Sequence, residues 1–157
     1  MLLREPLIVR DGRQSERAES IQRGVGRLLR AGGYSMVTEL PLASGRRADI
    51  VALGGGGEIW IVEIKSSIED FRADHKWEEY RPFCDRFSFA TLADVPAEIF
   101  PEDAGFILAD AYGAEEVRPP PAHPLTGARR KAMLLRYAHA AAARLHGLID
   151  PLAVAGL

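Results

Sequence analysis

The chain has 157 residues, enough for one domain with a full core and too few for two. It is 47% hydrophobic and 27% charged with a net charge of -2, so a bulk electrostatic pull toward nucleic acid is excluded and any such binding needs a local basic patch. The single cysteine, Cys84, excludes an internal disulfide framework, and no apolar run is long enough to span a bilayer; Glu5 and Pro6 break the apolar start, so a cytoplasmic protein without membrane contact is expected.

Residues 1–13 read as an N-terminal arm. Ser15 is placed to cap a helix from Glu16 to Ala31, whose apolar residues Ala18, Ile21, Val25, Leu28 and Leu29 recur at helical spacing. Gly24 and Gly26 weaken that helix but let it lie close to a sheet, and Gly32-Gly33 ends it. Strands are expected at Tyr34–Leu40, Arg47–Leu53 and Ile59–Lys65. Ser67 then caps a helix running to Pro82, with Ile68, Phe71, Trp77 and Tyr80 on its apolar face. Further strands follow at Arg86–Leu92 and Gly105–Ala109, with a short sixth at Glu116–Arg118. Residues 119–125 are a proline-rich tether. Thr126 caps a final helix, to about Gly147, which turns Leu134, Leu135, Ala138, Ala141, Ala142 and Leu145 inward and packs back on the 14–118 core. Helices bracketing a central mixed sheet make a three-layer α/β arrangement.

The chemistry concentrates between Arg46 and Ser67. Two strand-length apolar runs flank Gly54–Gly57, and Asp49, Glu63 and Lys65 interrupt them. Charges in strands that are otherwise built for burial need a reason. Glu63 and Lys65 are two apart and share a sheet face. Asp49 joins them only if the loop spans Gly54–Glu58, which opposes Leu53 to Ile59, Asp49 to Glu63 and Arg47 to Lys65; a four-residue loop turns Asp49 to the other face. Two facing carboxylates, with the backbone carbonyl of Ile64, are hard oxygen ligands for Mg²⁺ or Mn²⁺, and Lys65 beside them can orient or deprotonate a water. The plainer alternative is a structural ion pair at the sheet's end.

The aspartate after Arg46-Arg47, the glycine turn and Glu63-Ile64-Lys65 together resemble the PD-(D/E)xK nuclease superfamily, with Ala48 where its usual proline stands. A narrower resemblance, carried by Arg23-Gly24-Val25, Gly45–Asp49, Val62–Ser67, Asp70–Asp74, Lys76-Trp77, Tyr80-Arg81 and Cys84–Phe87, is to the MmcB family of bacterial DNA repair proteins. It implies a restriction-endonuclease-like fold and a role in DNA repair; together with the superfamily resemblance the expectation is DNA as partner and a metal-dependent nuclease-like activity. A non-catalytic protein that binds DNA or other repair proteins is the alternative, and a purely structural interaction domain a third. Glu19 in the first helix is a further metal-ligand candidate by the same resemblance. Arg47, Arg46 and Lys76 are the candidates for DNA contact, Lys76 as one half of a polar/aromatic pair with Tyr80. A homodimer is compatible, since many small nucleases of this fold dimerise to cut both strands. No phosphate-binding glycine motif and no His/Cys spacing for zinc is present.

Overall fold

A computed structural model describes residues 15–73 and 76–155. The expected N-terminal arm and Asp74 lie outside the described residues. The elements are α1 (Glu16–Ala31), β1 (Ser35–Pro41), β2 (Arg47–Leu53), β3 (Ile59–Ile64), α2 (Ile68–Ala73), a 3-10 segment at Trp77–Phe83, β4 (Arg86–Thr91), a 3-10 turn at Ala97–Ile99, β5 (Gly105–Ala109), β6 (Ala114–Arg118), α3 (Gly127–Ile149) and α4 (Pro151–Ala155).

All six strands form one sheet in chain order. β1–β2–β3 is an antiparallel meander, β3–β4–β5 is parallel, and β6 returns antiparallel. Period-2 alternation sorts the sheet's two faces. Trp60, Val62 and Ile64 pack on Ile21, Val25 and Leu29 of α1. Ile59, Ile61, Phe87 and Phe89 pack on the opposite side, under Trp77, Tyr80, Phe100 and Met133. The result is three layers, with α1 alone on one face and α2, the 3-10 segments and α3 on the other.

α1 starts as its sequence indicates: the Ser15 hydroxyl accepts from the Ala18 N–H. Gly24 marks a close approach. A Cβ there would stand 2.2 Å from the Asp110 carbonyl oxygen, so the helix can rest on the β5–β6 turn only with glycine at this position. The loop after β2 has Gly54 N–H bonded to Glu58 O and Gly57 N–H to Gly54 O, with Gly57 at φ 91°. Leu53 consequently faces Ile59, Val51 faces Ile61, and Ile50 faces Val62.

Two expectations are corrected. The segment from Ser67 to Pro82 is not one helix. α2 stops at Ala73, and the chain resumes as a 3-10 segment containing Pro82. Side chains three apart eclipse in 3-10 geometry. That brings Trp77 and Tyr80 together onto Phe87, where both rings stack at centroid distances of 5.4 and 5.7 Å. Lys76, the non-helical N-cap of this segment, therefore does not share a helical face with Tyr80.

The inward face of α3 is also offset. Met133, Leu134, Tyr137, Ala140 and Ala141 face the core, whereas Leu135 and Leu145 are 52% and 55% exposed and Ala138 and Ala142 face solvent. An alanine-rich helix carries a weak stripe, and here arginines set its rotation. Arg130 reaches Gly57 O and Asp85, Arg136 reaches Pro41 O, and Arg144 reaches Thr38 O and Glu39 O. The basic stripe of this helix is thus largely spent on docking it to the sheet.

Candidate functional site

The acids meet where the β2–β3 ladder ends. The last ladder pair is Ile50 with Val62. One step further, side chains replace backbone partners. Asp49 N–H donates to Glu63 Oε1 at 2.8 Å, and Ile64 N–H donates to Asp49 Oδ2 at 2.8 Å. Each carboxylate takes an amide of the other's strand or its neighbour, which draws the two side chains toward each other. Glu63 is 4% exposed and Lys65 7%. Ile64 N–H faces β2, and in an extended strand its carbonyl faces the same way, toward the side occupied by Asp49. Lys65 is held by its backbone: its N–H donates to Ala90 O and its carbonyl accepts from Thr91 Oγ1.

The electrostatics set this pair apart. Burial pushes the Glu63 carboxyl well above its ordinary value, and the charge of Asp49 adds to that; the Asp49 amide and Lys65 oppose it only in part. Burial likewise raises Asp49, with Asp70 contributing in the same direction, while the Ile64 amide, a hydrogen bond with the Glu63 carboxyl and Lys65 oppose it. Two like charges in a dry site do not ionise together at little cost. One proton, or one cation, is the natural complement of Asp49 and Glu63.

The surroundings come from α2 and the 3-10 segment. Ser67 Oγ accepts from Asp70 N–H while Asp70 Oδ2 accepts from Ser66 N–H, a reciprocal cap that fixes the turn leaving Lys65. Tyr80 lies on the acids' face. Its hydroxyl donates to Arg47 O, and burial together with the charges of Glu63 and Asp49 raises its pKa. Asp70 and Tyr80 thus belong to the neighbourhood of the acids. The signal for Tyr80 was its three-residue spacing from Trp77, which suits a 3-10 turn; that for Asp70 was its place at the third position after the Ser67 cap.

The remaining candidates fall as follows. Arg46 pairs with Glu79 and lies over the Tyr80 ring, and Arg47 pairs with Glu39 at 2.8 Å. Both arginines therefore border the site from the start of β2. Lys76 is exposed on the far side of Trp77 in the chain. Glu19 stands on α1, which packs on the opposite face of the sheet. The first turn of α1 is nonetheless tied to the site's end, because Arg17 Nε donates to Ser66 O at 3.0 Å and its guanidinium pairs with Asp94 at 2.7 Å. A route from Glu19 to the acids therefore runs around the sheet's end rather than across it.

As a cation site the donor set has the right chemistry, two hard carboxylates and a carbonyl. It is also small. Among the described residues no group of three or more His, Cys, Asp or Glu side chains is arranged to hold a metal ion. Cys84 offers no nucleophile, since burial pushes its thiol up to about 12. No helix among the described residues is long and apolar enough to cross a membrane.

The second charged centre lies at the other end of β3. Asp85 Oδ2 accepts from Ile59 N–H and Oδ1 from Leu125 N–H, both at 2.8 Å, and the Arg130 guanidinium grips both oxygens at 2.7 Å. His123 N–H donates to the Asp85 carbonyl. This one residue thus ties the proline-rich tether and α3 to the sheet.

Comparison with known proteins gives one close structural relative and one family. The SPO1766 protein of unknown function from Silicibacter pomeroyi superposes with a TM-score of 0.84 at 45% identity, covering 87% of this chain and 94% of that one. The comparison with curated proteins returns no match. The profile of the MmcB-like DNA repair proteins matches residues 5–152, which takes in the acid pair, the Asp85 centre and all of α3. With nearly the whole length matched, the chain belongs to the MmcB-like family of DNA repair proteins.

Proposed function

We propose that this DNA repair protein is a metal-dependent nuclease with a restriction-endonuclease-like fold and a PD-(D/E)xK mechanism. The observation that carries the reading is the exchange at the end of the hairpin: the Asp49 amide donates to the Glu63 carboxylate and the Ile64 amide to the Asp49 carboxylate, with buried Lys65 on the same face. A structural ion pair needs one acid and one base. Two adjoining acids that burial holds above their ordinary pKa, with the charge of Asp49 adding to the shift of Glu63, are poor structural elements and good cation ligands.

In this reading Asp49, Glu63 and the Ile64 carbonyl would hold Mg²⁺ or Mn²⁺, with Glu19 and Asp70 as further candidate ligands. The bound cation supplies charge neutralisation at the phosphate and a more acidic water. Lys65 orients that water and stabilises the extra negative charge as the phosphorus is attacked. Arg46 and Arg47 exchange their carboxylate partners for backbone phosphates, and Lys76 adds a more distant contact. A second reading, a non-cleaving protein that binds DNA or a repair partner, is favoured by the deep burial of Glu63 and Lys65, which leaves a phosphodiester only the Asp49 side for approach.

A panel of single-stranded, flap, junction and cross-linked DNA, with Mg²⁺ or Mn²⁺, decides between them. The nuclease reading expects cleavage of at least one substrate and a loss of about 100-fold or more in Lys65→Ala and Asp49→Asn. DNA binding without cleavage of any substrate, undisturbed by Lys65→Ala, would establish the second.

A further inference from the structure

The acid pair depends on a fault in the neighbouring strand. Glu39 has φ 53° and is the single non-glycine residue in the left-handed region among those described. It sits in the middle of β1, where the register passes from Thr38 opposite Ile50 to Leu40 opposite Ala48. Backbone groups along a strand alternate sides. Gly54 N–H faces β3, so Ala52 and Ile50 do as well, and Val51 and Asp49 face β1. In an unbroken ladder the Asp49 N–H would therefore be taken by the carbonyl of Glu39.

The Glu39–Asp49 pair is missing from the β1–β2 ladder, and the Glu39 carbonyl is held from another direction. Arg144 of α3 donates to Thr38 O at 2.5 Å and to Glu39 O at 3.1 Å. Two consecutive carbonyls of a regular strand point to opposite sides. One guanidinium can hold both only if the backbone flips between them, and the left-handed Glu39 is that flip. The Asp49 amide thus turns to Glu63 Oε1.

We infer that Glu39 and Arg144 are positioning residues for the acid pair: Arg144 draws the Glu39 carbonyl off the β1–β2 ladder, and the released Asp49 amide fixes the Glu63 carboxylate opposite Asp49. This makes the C-terminal helix part of the site's support, although it touches neither acid. The consequence for cation binding rests on the proposed nuclease reading; the consequence for the amide does not.

Glu39→Gly keeps the left-handed conformation at no steric cost, and Glu39→Val, β-branched, opposes it. In the metal-free full chain, the Asp49 amide proton should resonate alike in wild type and Glu39→Gly, and move in Glu39→Val and in Arg144→Met. Titrated with Mn²⁺, Glu39→Val and Arg144→Met should bind about tenfold or more weakly, as loss of an outer support does, with Glu39→Gly close to wild type. Should Glu39→Val not fold, Arg144→Met carries the test. An Asp49 amide unmoved in the folded variants overturns the inference. Wild-type protein that binds no Mn²⁺ overturns the nuclease reading instead, and the amide shift still decides the role of Glu39 and Arg144.

Discussion

β3 carries a carboxylate centre at each end, and they are built in opposite ways. At its start Asp85 is fully answered: a bidentate arginine, two backbone amides, and a pKa drawn below the usual carboxyl range because these partners overcome the cost of burial. At its end Asp49 and Glu63 are answered mainly by each other, with one lysine for two acids, and their pKa values go up. Carboxylate chemistry is a fully paired anchor at one end of β3 and an under-neutralised pair at the other. Partner count, not burial, separates the two centres.

The contrast is sharpest in stability. Asp85→Ala removes the acceptor for four donor groups and leaves two amides unpaired, so it should lower unfolding free energy by about 3 kcal/mol or more in urea melts at neutral pH. Glu63→Gln keeps an oxygen for the Asp49 amide and removes a buried like charge, so it should raise stability by about 1 kcal/mol while abolishing cation binding. A loss of several kcal/mol in Glu63→Gln would reduce the two centres to one kind.

pH separates them further, with opposite signs. The folded pKa of Asp85 is depressed, so its contribution is complete above about the ordinary value of 3.8 and is lost as pH falls through the folded value. The folded pKa of Glu63 is raised, so the folded state is favoured at and below the ordinary value of 4.5 and loses that advantage as pH rises toward the folded value. The gain from Glu63→Gln should therefore be present at neutral pH and fade toward pH 4.5, as thermal melts at a series of pH values would read. Two smaller effects complete the set. Glu39→Gly should stabilise by up to about 1 kcal/mol by relieving a left-handed residue. Arg46→Ala should change stability by less than about 0.5 kcal/mol, because its pair with Glu79 is half-exposed, and its effect should appear in DNA affinity at low salt.

The part of the hairpin that depends on parity was legible in the sequence. Two residues on a strand share a face or do not, and the Gly54–Glu58 loop determines which. The order of strands was equally legible from apolar runs and turns. Rotation about a helix axis was not. In α3 the alanines offer no strong stripe, and Arg130 and Arg144 decided the inward face by bonds to residues 45 and more than 100 positions away. The break after Ala73 was hidden because Ile68, Phe71, Trp77 and Tyr80 fit a helical face almost as well as two short segments. Glu39 gave no local signal at all, since glutamate is not a residue that marks left-handed backbone. Asp85 did give one, a charge at the entrance of the apolar run Phe87–Thr91, but nothing nearby in the chain named Arg130 as its partner.

The central claim is that Asp49 and Glu63 form a cation site, and an Mn²⁺ titration followed by the paramagnetic resonance of the free ion tests it most directly. The account predicts saturable binding at one site in wild type, and loss of that site in both Asp49→Asn and Glu63→Gln while both remain folded. Saturable binding that survives both substitutions, or none in wild type, would contradict it.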